Sequence, residues 1–326
     1  MRKLSFIVLL FLITTSCKDD NDCCPNEPSD NDVTIPISLY QKIYKTTSDI
    51  YIENGFVYRF NEGAPKTTLE LLKGCFGANS LSNKIETLKK IGSRNFGIGC
   101  DQILIIESHD NKNAEVTIFN NDGLEAGACG NGVRCVASYL MDKKNTTEIR
   151  IKTISGNLDC WIEDENCYVN MGKPCFDWSV IPLSKQFEKQ IIKIDEFDLF
   201  CVSMGNPHAV IFFKDLNELN KIDIEKIGIK IQKSDIFPES VNVEFATILE
   251  DKTIRMKVWE RGAGRTLACG SGACATLVAA NQQNLSLRKN DIILDGGKLT
   301  IDWLESEDII MSGEVNLVFK GNFYCD

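Results

Sequence analysis

The chain has 326 residues, 43% hydrophobic and 25% charged, a globular composition with room for two sizeable cores. A formal net charge of −10 and a pI near 5.0 exclude the basic surface that would neutralise phosphates, and with it a nucleic-acid partner. Fourteen cysteines but only two histidines, His109 and His208, with no paired C-x-x-C knuckles, indicate buried reduced thiols and no metal site or disulfide scaffold.

Residues 1–35 read as a signal-like segment followed by a linker. Met1-Arg2-Lys3 precedes an apolar run over 4–13 that is too short to span a bilayer, and Thr14-Thr15-Ser16-Cys17 resembles a bacterial lipobox. An acidic, Pro/Asn/Ser-rich stretch follows, with nothing to bury. Lipidation of Cys17 would make the protein a membrane-anchored lipoprotein. Otherwise the run has no targeting role and the protein is cytoplasmic, the compartment that suits unpaired thiols.

Residues 39–60 alternate as two strands around Asn54-Gly55, a hairpin signal. From 66 to 91, Leu69, Leu71, Leu72, Ile85, Leu88 and Ile91 recur at helical spacing and predict a helix. "FGIGCDQILIIES" is a glycine-rich turn entering a strand, and "AEVTIFNNDG" is a strand ending in a turn. A helix at about 133–142 and a strand meander, "EIRIKTISGNLDCWIEDENCYVNMG", complete a first half. A polar stretch near 182–197 marks the boundary, giving an N-terminal half over 36–190 and a C-terminal half over 191–326. The second half runs through strands at 199–204, "MGNPHAVIFF", 241–249 and "TIRMKVWERGAG" to a helix at about 273–283. The order occurs twice, which predicts an α+β fold of two pseudo-symmetric halves.

"ACGNGVRC" at 128–135 and "ACGSGAC" at 268–274 occupy equivalent places in the two halves. In each, a cysteine precedes glycines and a polar residue where a helix begins. The N–H groups of Gly130, Asn131, Gly270 and Ser271 are then the unpaired donors of two helix N-termini, suited to a carboxylate. The same helix ends favour thiolate over thiol at Cys129 and Cys269. Two such thiols facing one substrate can remove a proton from one face of a carbon and deliver one to the other, the chemistry of a racemase or epimerase. A redox dithiol or a metal pair is the competing reading, and neither uses the helix-end glycines. "GAGRTLACGSG" lacks the Lys-Ser/Thr ending of a phosphate-binding loop.

"FNNDGLEAGACGNGVRC", "VSMGNPHAVIF", "SVNVEFA" and "VWERGAGRTLACGSGACA" resemble, in order, the signatures of the diaminopimelate epimerase family, over roughly 95–320. The resemblance implies mixed sheets, each curled around a central helix. It also implies cofactor-independent, pyridoxal-phosphate-independent epimerisation of LL-2,6-diaminopimelate to the meso form, in lysine and peptidoglycan-precursor biosynthesis. By the same resemblance, Cys129 and Cys269 are the acid/base pair, and Gly130, Asn131, Gly270 and Ser271 hold the carboxylate on the reacting carbon. Gln102, Asn120, Asn206, Asn242 and Arg261 read the remaining polar groups of this small amino-acid substrate. Glu260 accepts from an ammonium and, with His208, tunes the thiols. A homodimer is implied in the same way.

Two departures stand out. Ser48 occupies the place of an asparagine in a Gly-x-Gly-Asn-Asp-Phe loop whose glycines are missing here, and Arg265 stands where the family often has an acidic residue. Two further readings therefore stay open: a related racemase or isomerase of the same fold with another substrate, and a lipid-anchored, catalytically idle amino-acid-binding protein.

Overall fold

The computed structural model describes residues 49–53, 56–60, 67–70, 81–97, 99–127, 129–315 and 317–322. The lipobox at Cys17 and the expected substrate-loop position Ser48 lie outside the described residues.

β1 (Asp49–Glu53) and β2 (Phe56–Phe60) pair antiparallel with Glu53 opposite Phe56, while Asn54 and Gly55 between them lie outside the described residues. Of the helix expected over 66–91, Leu81–Gly92 form α1, where Leu88 and Ile91 are buried, and Leu71 and Leu72 lie outside the described residues. Residues Thr67–Glu70 instead form β3, parallel to both β1 and β4 (Gln102–His109). Two adjacent β-branched threonines favour extended backbone, and two strands offer hydrogen bonds that override the helical spacing of the leucines.

β5 (Asn113–Asn120) leads into the helix α2 (Gly130–Lys144), followed by β6 (Glu148–Thr153), β7 (Gly156–Glu163) and β8 (Asn166–Asn170). The pairing is β3 parallel to β4, β4 antiparallel to β5, β5 parallel to β6 across α2, then β6, β7 and β8 antiparallel in turn.

β9 (Ile191–Ile194), β10 (Phe197–Ser203) and β11 (Pro207–Phe212) open the second half, and β12 (Asn242–Ile248), β13 (Ile254–Glu260) and β14 (Gly264–Thr266) approach its helix, α5 (Gly270–Gln282). β15 (Lys289–Leu294), β16 (Gly297–Trp303) and β17 (Ile309–Gly313) follow, and β18 (Leu317–Asn322) returns to pair with β2. Here β11 is parallel to β12, β12 antiparallel to β13, β13 parallel to β15 across α5, and β15, β16 and β17 are antiparallel. The two halves share one pairing order, each with a helix inserted at the same step. They join where β8 runs antiparallel to β17.

Each helix is the centre of its half. Val133, Val136, Leu140 and Met141 of α2 pack on Leu104, Val116 and Ile151, all nearly or wholly inaccessible. From Gly270 to Ala280 α5 is built of Gly, Ala, Ser, Cys, Thr, Leu and Val, and every one of these residues is buried, so strands surround this stretch. Truncating a leucine in either core to alanine costs about 2–5 kcal/mol. Two short helices that the sequence reading did not anticipate, α3 (Leu216–Lys221) and α4 (Ile224–Gln232), begin at aspartate caps, Asp215 on the Glu218 N–H and Asp223 on the Lys226 N–H. They cover the face of β12 that carries Val243 and Phe245, and α5 covers the opposite face.

Candidate active site

Both central helices begin earlier than their apolar spacing suggests, at Gly130 and Gly270, which places Cys129 and Cys269 at the N-cap positions. Each sulfur accepts the N–H of the third helical residue: Gly132 at 3.2 Å for Cys129 and Gly272 at 3.3 Å for Cys269. In the first turn of a helix the first two N–H groups have no acceptor within the helix. At both ends these belong to the predicted pairs, Gly130 with Asn131 and Gly270 with Ser271. The positive ends of two helix dipoles therefore coincide with two capping thiols.

The two helix ends meet. A Cβ on Gly270 would lie 2.8 Å from Asn131 Oδ1 and 3.0 Å from Met311 Sδ, and one on Gly130 would lie 2.7 Å from Met171 Cε and 3.0 Å from Met311 Cε. A side chain at either first position makes these side-chain ends shift, and Met311 on β17 lies against both. Asn131 is fully buried between the helices, and neither its Oδ1 nor its Nδ2 has a hydrogen-bond partner. A buried amide left unsatisfied costs about 1–3 kcal/mol, so it is kept where a ligand supplies the missing bonds.

Gln102 opens β4 on the same face as Leu104 and Ile106, which pack on α2. It stands opposite Asn120 in register and donates from Nε2 to Asn120 Oδ1 at 2.9 Å, while its own buried Oε1 has no partner. In the second half the equivalent first residue of the strand is Asn242. Its Nδ2 donates to the Pro207 carbonyl at 2.9 Å and its Oδ1 accepts the Arg261 N–H at 2.8 Å, so it pins the β13–β14 turn to β11. Arg261 is exposed and donates to the Glu239 carbonyl at 3.2 Å, and half-buried Glu260 accepts from the Thr266 hydroxyl.

A connected set of polar groups reaches Cys269. Asn206 Nδ2 donates to Ser271 Oγ at 3.2 Å, and that hydroxyl lies 3.5 Å from Cys269 Sγ. His208, fully buried, bonds Asn206 Oδ1 through Nε2 at 2.9 Å and Glu244 Oε1 through Nδ1 at 2.7 Å. Sequence reading did not single out Glu244. Its signal was a carboxylate at a core-facing position of "NVEFATI", where alternation puts Ala246 and the α5 core on the same side. Arg265 donates to Asp295 at 3.1 Å, beside Arg255 on the same carboxylate, so the basic residue at this position is matched by a counter-charge.

The family model for diaminopimelate epimerase matches residues 76–176 and 200–318. The chain belongs to the diaminopimelate epimerase family. It is 43% identical over 237 residues to the diaminopimelate epimerase of Acidiphilium cryptum, covering 71% of this chain and 84% of that one. It is 39% identical over 260 residues to the enzyme of the same name from Acetivibrio thermocellus, covering 76% and 91%. Among solved structures, a predicted epimerase from Pseudomonas aeruginosa superposes with a TM-score of 0.55 at 12% identity, over 77% of this chain and 91% of that chain. A hydroxyproline epimerase from Agrobacterium vitis does so at 0.52 and 12%, over 74% and 80%. These low-identity neighbours share the fold. Membership of the family makes the protein an isomerase.

Proposed function

We propose that Cys129 and Cys269 are the two bases of this isomerase, acting on opposite faces of one stereocentre. The reaction is epimerisation of LL-2,6-diaminopimelate to meso-diaminopimelate. One thiolate takes the α-proton, the charge left on carbon spreads into the adjacent carboxylate, and the other thiol delivers its proton to the opposite face. In the reverse direction the roles exchange. The N–H groups of Gly130, Asn131, Gly270 and Ser271 stabilise the charge as it develops, because they are fixed and aimed before the reaction begins. Gln102, Asn120, Asn206, Asn242, Glu260 and Arg261 orient the remaining groups of the substrate, with His208 acting on the thiols through its neighbours. The observation that carries this reading is the unpartnered Asn131 amide between two helix N-termini, each capped by a cysteine.

On this reading the halves are 36–190 and 191–326, which the repeated pairing order supports. The protein works in the cytoplasm, since two facing thiols need a reducing compartment, and the homodimer follows from the family resemblance. No helix among the described residues is long and apolar enough to cross a membrane.

Solvent deuterium incorporation at Cα of LL-diaminopimelate, followed by NMR under reducing conditions, tests the assignment. Wild-type protein exchanges and converts the substrate, while Cys129→Ala and Cys269→Ala do neither. Wild-type exchange in either variant would sink the two-base reading.

A further inference from the structure

The two halves differ where their central helices begin. A Cβ on Gly132 would meet the methyl carbons of Leu104 at 2.6 and 2.7 Å, whereas one on Gly272 would meet Glu244 Oε1 at 2.6 Å. Leu104 and Glu244 are equivalent: each is the third residue of the strand that opens the helix-bearing step. The first half puts a hydrocarbon beside its capping cysteine's turn, and the second half puts a fully buried carboxyl there.

The Asn206 amide fixes how hydrogens run through the polar chain. Asn206 Nδ2 donates to Ser271 Oγ, so Asn206 Oδ1 is the atom facing His208 and must accept. His208 therefore carries a proton on Nε2. Its Nδ1 faces Glu244 Oε1 at 2.7 Å, and one further proton is shared across that contact, on the ring or on the carboxyl. With the Ser271 hydroxyl already accepting from Asn206, its own hydrogen is free to point at Cys269 Sγ.

We propose that Glu244 is a positioning residue which holds His208 as an Nε2–H donor, so that every hydrogen in the chain His208, Asn206, Ser271 points towards Cys269 and makes it the resting thiolate of the pair. The proposal rests on the two-base reading above for its catalytic meaning, and on the hydrogen-bond geometry alone for its test. Other groups face the pair: Glu260 at the end of β13 and the Cys201 thiol on β10 both interact electrostatically with Glu244, and Cys269 caps α5. Burial holds the Glu244 carboxyl above the usual carboxylate range, opposed by His208, which fits a proton shared between the two. Its Oε2 is buried without a partner.

The test titrates thiolate ultraviolet absorbance with pH in full-length protein, taking the Cys269 contribution as the difference from a Cys269→Ser background and that of Cys129 likewise. No substrate is needed, so a protein lacking epimerase activity would overturn the proposed reaction without touching this result. Glu244→Leu copies the first half and leaves His208 Nδ1 without its partner. The Cys269 midpoint should rise by about one pH unit, a tenfold loss of thiolate near neutrality, with the Cys129 midpoint moving less. Glu244→Gln, whose amide can donate to Nδ1 and keep Nε2–H directed at Asn206, should restore the midpoint to within about a third of a unit. An unmoved Cys269 midpoint in Glu244→Leu, an equal shift at Cys129, or a glutamine variant no better than leucine would each overturn it. If Glu244→Leu does not fold, 15N NMR of wild-type His208 decides, with His109 the only other histidine. Protonated Nε2 supports the proposal, and a bare Nε2 with protonated Nδ1 refutes it.

Discussion

Gly270 and Asn131 abut across the junction of the two halves: a methyl group on the glycine would stand 2.8 Å from the asparagine's Oδ1 and 3.0 Å from Met311 Sδ. Gly270→Ala therefore pushes the one buried amide between the helix ends out of place. The variant should fold, with a loss of about 1–3 kcal/mol from overpacking, and should lose at least about tenfold in kcat/KM, the equivalent of 1.4 kcal/mol. Steady-state epimerisation alongside thermal unfolding separates the two effects.

Arg134 lies one turn into α2, fully buried, and none of its three guanidinium nitrogens has a hydrogen-bond partner. Burial holds its guanidinium below the ordinary arginine value. Arg134→Met keeps the length and removes the lone charge, and should stabilise the fold by about 1–3 kcal/mol in urea. A Cβ on Gly313 would collide with Arg134 Nη1. Gly313→Ala should then destabilise the wild type more than the Arg134→Met background, a coupling that a double-mutant cycle measures.

Four buried thiols other than the two helix caps make the fold sensitive to base. Burial pushes Cys167 and Cys274 up to about 12 from an ordinary value of 9.0, and raises Cys160 and Cys201 as well. Above the ordinary value the unfolded chain loses these protons while the folded one keeps them, so stability is whole below about pH 9 and falls as pH rises towards 12, by about 1.4 kcal/mol per pH unit and thiol. Urea midpoints should fall steeply above about pH 9, and Cys167→Ala and Cys274→Ala should each flatten that slope.

Asn242 uses both ends of its amide to join the Pro207 carbonyl to the Arg261 N–H. Asn242→Ala leaves both backbone groups without that partner, at a cost of about 1–3 kcal/mol, and frees the turn that carries Arg261. KM should rise several-fold more than kcat falls.

The two helix starts were legible because a cysteine followed by glycines before an apolar run has a local meaning. Capping and small-residue packing depend on a few consecutive letters, and "ACGNG" and "ACGSG" carry them. The antiparallel pairing of β1 with β2 was legible for the same reason. β3 was not, since Thr67–Glu70 becomes a strand only because β1 and β4 flank it. α3 and α4 were passed over although Asp215 and Asp223 stand as their caps, because their short apolar stripes take meaning only from the Val243 and Phe245 face of β12 that they cover.

By itself the sequence determined the duplicated plan, the pair of capping thiols and the family, all properties of spacing along the chain. Only the tertiary structure decided that Asn131 sits unsatisfied between the helices, that Gly270 and Gly130 close on Met311, and that Glu244 meets His208 across parallel strands. Those relations join residues distant in sequence. Strand register and helix contact fix them, and neither is written in any local stretch of letters.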